Sequence, residues 1–163
     1  MAKFSLTSTD FTDGGTLAMA QVFNDMGCKG GNVSPALAWS GVPSGTQSLA
    51  LMVHDPDAPT GSGWWHWVVY NIPPSVSSLP AGAGDPAKGT MPKGAVQGRT
   101  DYGTVGYGGP CPPPGKPHHY NFKLYALKVP KLEVPEGPSA ALIAFNVRAH
   151  ALGEAQLTGM YGR

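Results

Sequence analysis

Glycine and proline punctuate this chain from end to end, so that only short regular elements fit between them. There are 23 glycines and 17 prolines, both above average usage, and short apolar runs separate them. That is the pattern of many turns joining short strands. A disordered tail would concentrate the same residues without hydrophobic runs between. With 41% hydrophobic and 13% charged residues, composition argues against disorder. A length of 163 residues suits one domain, residues 1–163, with a genuine core.

The strand expectations follow from alternation. Residues 4–8 alternate and read as a short opening strand. Residues 27–43 are turn-rich, with Asn32-Val33-Ser34-Pro35 leading to a short strand at Leu37-Ala38-Trp39. Residues 47–54 form the clearest early strand, with Leu49, Leu51 and Val53 on one face and Ala50, Met52 and His54 on the other. Both faces are largely apolar, so this strand should be central in a sheet. Residues 64–72 are dense in aromatic and β-branched side chains. There Trp65, Trp67 and Val69 should share one face, and His66 should lie opposite with Trp64, Val68 and Tyr70. Residues 73–92 read as a long surface excursion, and 103–117 as a second irregular stretch. In 119–129, Tyr120, Phe122, Leu124 and Ala126 alternate with Asn121, Lys123, Tyr125 and Leu127.

One helix is predicted after Pro138-Ser139, with Ser139 as N-cap and Leu142, Phe145, Ala149 and Leu152 at helical spacing; Gly153 offers a stop. The tail from Ala155 to Tyr161 again looks extended. The fold class is therefore mainly β: two packed antiparallel sheets, a β-sandwich with one C-terminal helix at its edge and long loops.

The formal net charge is +1, and no run of Lys or Arg marks a nucleic-acid footprint. Any anionic ligand must be held by local geometry. Cys28 and Cys111 are far apart and form no CxxC pair, so they read as free thiols in a reducing compartment; spacing gives no support for a disulfide. The N-terminus shows no apolar leader region, and no stretch approaches the ~20 apolar residues of a membrane span. A cytoplasmic location is the default expectation. The oligomeric state is open between monomer and homodimer.

Three segments could carry chemistry. Asp55-Pro56-Asp57-Ala58-Pro59 follows the central strand and sets two carboxylates at a strand end. It reads equally as an acidic turn that merely ends the strand, or as a pair facing a cleft. A cis bond at Ala58-Pro59 would suit a tight turn. Trp64-Trp65-His66-Trp67 places one imidazole in an aromatic strand. Such a histidine reads first as a satisfied core residue, but a hairpin would bring it to the aspartates.

The third segment runs from Gly106 to Tyr120. Gly109 to Lys116 almost fits a phosphate loop, yet the gap is one residue too long. Pro117 replaces the magnesium-binding Ser or Thr, and three prolines remove N–H donors. Its glycines still offer backbone amides to a small anion. No Gly-x-Ser-x-Gly elbow is present. A metal site from Asp55, Asp57, His66 and His118 would need ligands from three segments and has no i, i+4 pair; no metal or cofactor is expected.

Read together, these segments resemble the phosphatidylethanolamine-binding protein family, also called Raf kinase inhibitor-like proteins. The likeness rests on Asp55-Pro56-Asp57-Ala58-Pro59, the strand carrying His66, and Gly108-Gly109-Pro110 through Pro117-His118-His119-Tyr120, in that order. Asn32-Val33-Ser34-Pro35 with Trp39, Tyr125-Ala126-Leu127 and the closing helix support it. The chain looks most similar to the shorter bacterial and archaeal members. The resemblance implies a Greek-key sandwich with a shallow pocket that takes small anions or the phosphoryl headgroup of a phospholipid. It implies pocket walls of Asp55, Asp57, Pro59, His66, Gly109, Pro110, His118 and Tyr120, with Ala58-Pro59 cis. Two departures stand out. His119 occupies a position that is often Arg in the family, and the chain ends at Arg163 without the extra helix of longer eukaryotic members, so their kinase-regulating behaviour is not carried over.

On this reading His66 and His118 supply positive charge or donors and Gly109 a backbone N–H. The aspartates orient their neighbours by accepting hydrogen bonds from a loop amide or a histidine. Three functional classes follow: a binding module for phospho-ligands or small anions, with or without a regulated protein partner; an inhibitor docking on a protease or kinase through a loop such as 77–93; and a hydrolase using the Asp/His cluster.

Overall fold

The computed structural model describes residues 2–163. In chain order the strands are β1 (Ser5–Thr7), β2 (Leu37–Ser40), β3 (Ser48–Asp55), β4 (Trp64–Ile72), β5 (Ser78–Leu79), β6 (Val96–Gln97), β7 (His118–Leu127) and β8 (Ala151–Tyr161), with helix α1 (Ala140–Ala149) before the last. They form two antiparallel sheets, ordered β1-β2-β5 and β6-β4-β3-β7-β8. The mainly β expectation holds, and β3 is central as its two apolar faces required.

Each face of the large sheet has its own core. Leu49, Leu51, Val53, Trp67, Val69, Phe122 and Leu124 face the small sheet, where they meet Leu6, Leu37, Trp39 and Leu79. Ala50, Met52, Val68, Tyr70, Tyr125 and Leu127 face the other way, onto Ile143 and Val147 of α1. The helix therefore covers the outer face of the large sheet and does not sit at a sandwich edge.

Ser139 is its N-cap as predicted, accepting the Leu142 N–H at 3.1 Å. The buried stripe differs from the expected one. Ala140, Ile143 and Val147 point inward, whereas Phe145 is 73% exposed and Leu152 already belongs to β8. The helix stops at Ala149, four residues before Gly153, because Lys128 claims the His150 carbonyl and the chain turns into the β7–β8 ladder. Nor is the 73–92 stretch wholly superficial. It contains β5 and buries Leu79 and Ala83 in the inter-sheet core.

The antiparallel order has a direct consequence for function. The C-terminal end of β3 and the N-terminal ends of β4 and β7 lie side by side, which brings three sequence-distant segments to one end of the sandwich.

Candidate functional site

Asp55 closes β3, opposite Trp64 at the start of β4. Between the pairs Val53↔Trp67 and His54↔Trp65 the register shifts, so β4 spends two residues where β3 spends one, and His66 is the extra residue. Such a bulge re-aims a side chain. Here Trp65 turns to the outer cluster with Val68 and Tyr70. His66 turns to Tyr120, an inner-core residue, with ring centroids 5.1 Å apart and edge to face. The face predicted for His66 by simple alternation is corrected by that bulge. From β7, His118 and Tyr120 share the face of Phe122 and complete the cluster.

The polar wiring is specific. Asp55, 2% exposed, accepts the Asp57 N–H at Oδ1, 2.8 Å, and the His118 Nδ1–H at Oδ2, 2.7 Å. Asp57 Oδ2 accepts both the backbone N–H and the Nδ1–H of His119, each at 2.7 Å. Those bonds, the backbone one foremost, hold the Asp57 carboxyl below the usual carboxylate range. Both aspartates thus orient histidines and amides as expected. His66 Nδ1 donates to the Gly108 carbonyl at 2.8 Å. Burial outweighs that bond and brings its pKa down to about 4, so the ring is neutral near neutrality and supplies no positive charge. Burial, then the Asp55 charge, push the Tyr120 phenol up, so it keeps its O–H. Tyr120 Oη and Trp64 Nε1 are buried without a hydrogen-bond partner, although unmet buried polar groups are rare.

These groups border a hollow of about 190 Å³. Asp55, Pro59, His66, His118 and Tyr120 line it together with Thr60, Trp64, Tyr102, Met26 and the segment Cys111-Pro112-Pro113. Among the described lining residues there is no Lys or Arg. Asp57 lies outside it, in an adjoining groove with Pro114, Gly115, Lys116, Pro117 and His119; Pro59, Pro113 and His118 border both.

Gly109 and Pro110 support the wall from behind. The Gly109 N–H, expected to face a ligand, donates to Asn32 Oδ1 at 2.8 Å, and its carbonyl accepts the Tyr102 hydroxyl at 2.8 Å. A Cβ at Gly109 would sit 2.0 Å from the Gln21 carbonyl oxygen, so the close approach needs glycine. The Pro110 carbonyl accepts the Phe23 N–H. Asn32 of the Asn-Val-Ser-Pro stretch is thereby a brace for this loop.

Two further expectations are overturned. Cys28 and Cys111 are joined in a disulfide, because the 25–28 turn folds beneath the proline loop and sets the two residues' Cα atoms 5.9 Å apart. Ala58-Pro59 is trans, no cis peptide occurring among the described residues. The turn closes without one, through the Asp57-to-Asp55 bond and the Thr60 N–H on the Ala58 carbonyl at 2.7 Å. Sequence reasoning missed Tyr102 and Met26 as wall residues. Tyr102 lies outside every segment that alternation or motif singles out, and its role appears only when it stacks on Phe23, centroids 3.9 Å apart.

The model of the family described as "Phosphatidylethanolamine-binding protein" matches residues 7–162. The "UPF0098 protein YbcL" of Escherichia coli (strain K12) is 52% identical over 161 residues, covering 98% of this chain and 88% of the relative. Its crystal structure, described as a new member of the mammalian PEBP family, superposes with a TM-score of 0.96 at 51% identity and 99% coverage of both chains. A Chlamydia trachomatis structure described as a homologue, CT736, gives a TM-score of 0.83 at 35% identity, covering 100% of this chain and 99% of the other.

Proposed function

We propose an oxyanion-binding role for this chain, which belongs to the phosphatidylethanolamine-binding protein family. The observation that supports the reading is a pair of buried donors, Tyr120 Oη and Trp64 Nε1, left without partners on two residues that line the same hollow. A ligand oxygen that reaches them removes two desolvation penalties at once. His118, held by Asp55 through Nδ1, lines the same hollow. The volume, about 190 Å³, suits a phosphoryl-sized group, and the adjoining groove past Pro59 and Pro113 gives the rest of such a molecule a way out.

The loop at 77–93, a candidate for docking on a protease or kinase, is tied down by buried Leu79 and Ala83, which favours the small-ligand role over an inhibitory one. Among the described residues no helix is long and apolar enough to cross a membrane. The Cys28–Cys111 bridge favours an oxidising compartment over the cytoplasm.

The indole N–H signals of the four tryptophans test the reading, with Trp64 assigned through Trp64→Phe. Phosphate or phosphorylethanolamine should move the Trp64 signal in a saturable way. Saturable binding that leaves this signal in place would put the ligand elsewhere, and no binding would end the reading.

A further inference from the structure

The hollow is poorly built for charge. Its one fixed ionic group with a sign of its own is the Asp55 carboxylate, and no Lys or Arg lines it among the described residues. Among the described lining residues the imidazole besides neutral His66 is His118, already paired with Asp55 at 2.7 Å; Lys116 stands in the adjoining groove, and the Arg163 guanidinium is engaged with the Pro112 carbonyl at 2.7 Å. A dianion entering this space would therefore face a neutral or negative site.

The donor and acceptor pattern adds a second constraint. A carbonyl can only accept, so the 2.8 Å contact with Gly108 fixes the proton of His66 on Nδ1. Gly108 does not line the hollow and His66 does, so the ring edge carrying Nε2 is the one left to border it. His66 is 3% exposed, and its pKa of about 4 keeps Nε2 a bare lone pair at neutral pH. The groups around it are Asp55 from β3, Tyr120 and His118 from β7, and Tyr102 from the loop wall, with His54 more distant. Tyr120 and Trp64 offer hydrogens, while Nε2 wants one. A ligand that meets all three must accept at some oxygens and donate from another.

We propose that the hollow selects a protonated, singly charged oxyacid group, such as the monoanion of a phosphate monoester or phosphonate, with His66 Nε2 accepting the ligand's proton-bearing oxygen. The proposal rests on the oxyanion reading above and sharpens it. It ranks the two sources of a phosphoryl group: a free monoester, which keeps one acidic proton in mild acid, binds better than the diester of an intact lipid headgroup, which has none. Sulfate, likewise without a proton near neutrality, is rejected. Affinity for a monoester rises on acidification because the ligand gains its proton, not because the protein does.

Calorimetry on the intact, oxidised protein tests this with phosphorylethanolamine, its diester counterpart glycerophosphorylethanolamine, methylphosphonate, inorganic phosphate and sulfate, from about pH 5.5 to about pH 8. The monoester should bind at least about tenfold more tightly than the diester near pH 6, and phosphate at least about tenfold more tightly than sulfate. The midpoints of the pH profiles for phosphorylethanolamine and methylphosphonate should differ as the second ionisations of the two probes differ. Equal affinity for monoester and diester, or for phosphate and sulfate, overturns the proposal while leaving oxyanion binding intact. A common midpoint for both probes does the same, because a protein group would then govern the profile. If none of the probes binds, the oxyanion reading fails and the selectivity with it.

Discussion

Asp55 Oδ2 accepts the Nδ1–H of His118 at 2.7 Å, joining positions 63 residues apart at the ends of adjacent strands. The same carboxylate closes its own turn through the Asp57 N–H. One buried side chain thus shapes the turn after β3 and fixes the ring on β7.

Asp55→Asn tests that double duty. Asparagine keeps the size but exchanges one acceptor for a donor, so either the turn amide or His118 loses its partner. Unfolding in urea should show a loss of about 2 kcal/mol, and phosphate affinity should fall about tenfold or more as the imidazole loses its orientation. Unchanged affinity with reduced stability would confine Asp55 to a structural role.

His66 makes stability depend on pH in one direction. Its folded pKa is about 4, against about 6.5 for an unfolded imidazole, so the unfolded chain takes up this proton first as pH falls. The stabilisation is whole above about pH 6.5 and drains away toward pH 4, about 3 kcal/mol in all. Asp57 acts lower on the scale. Its depressed carboxyl stabilises above the ordinary Asp range and loses that contribution only in stronger acid. Urea midpoints at about pH 5 and about pH 7 should differ more in the wild-type protein than in His66→Gln. Equal differences would mean that His66 is not buried neutral.

The Cys28–Cys111 bridge closes a segment of 83 residues. By loop-closure entropy it contributes up to about 4.5 kcal/mol. Cys28→Ser with Cys111→Ser should lower the urea midpoint accordingly, and the unreduced native protein should release no titratable thiol on unfolding. Two thiols per chain in protein purified without reductant would contradict the bridge.

What could be read from residues alone was what local pattern controls. The dense run at 64–72 matches β4, and the two apolar faces of β3 place it in the middle of its sheet. The Ser139 cap was legible because capping is a contact within one turn. The buried stripe of α1 was not, since the large sheet chooses Ile143 and Val147 over Leu142 and Phe145. The aim of His66 depends on a bulge that exists only once β4 pairs with β3. The disulfide and the occupied Gly109 N–H depend on how the 25–32 segment and the proline loop meet. Neither relation has a spacing in sequence that would disclose it.

Tyr120→Phe separates binding from folding most cleanly. Tyr120 is 1% exposed and its hydroxyl has no partner, so removing that oxygen takes away an unmet polar group from a buried ring. Stability without ligand should hold or rise, and phosphate affinity measured by calorimetry should fall about tenfold. Undiminished phosphate affinity in this variant would contradict the assignment of the hollow as an oxyanion site.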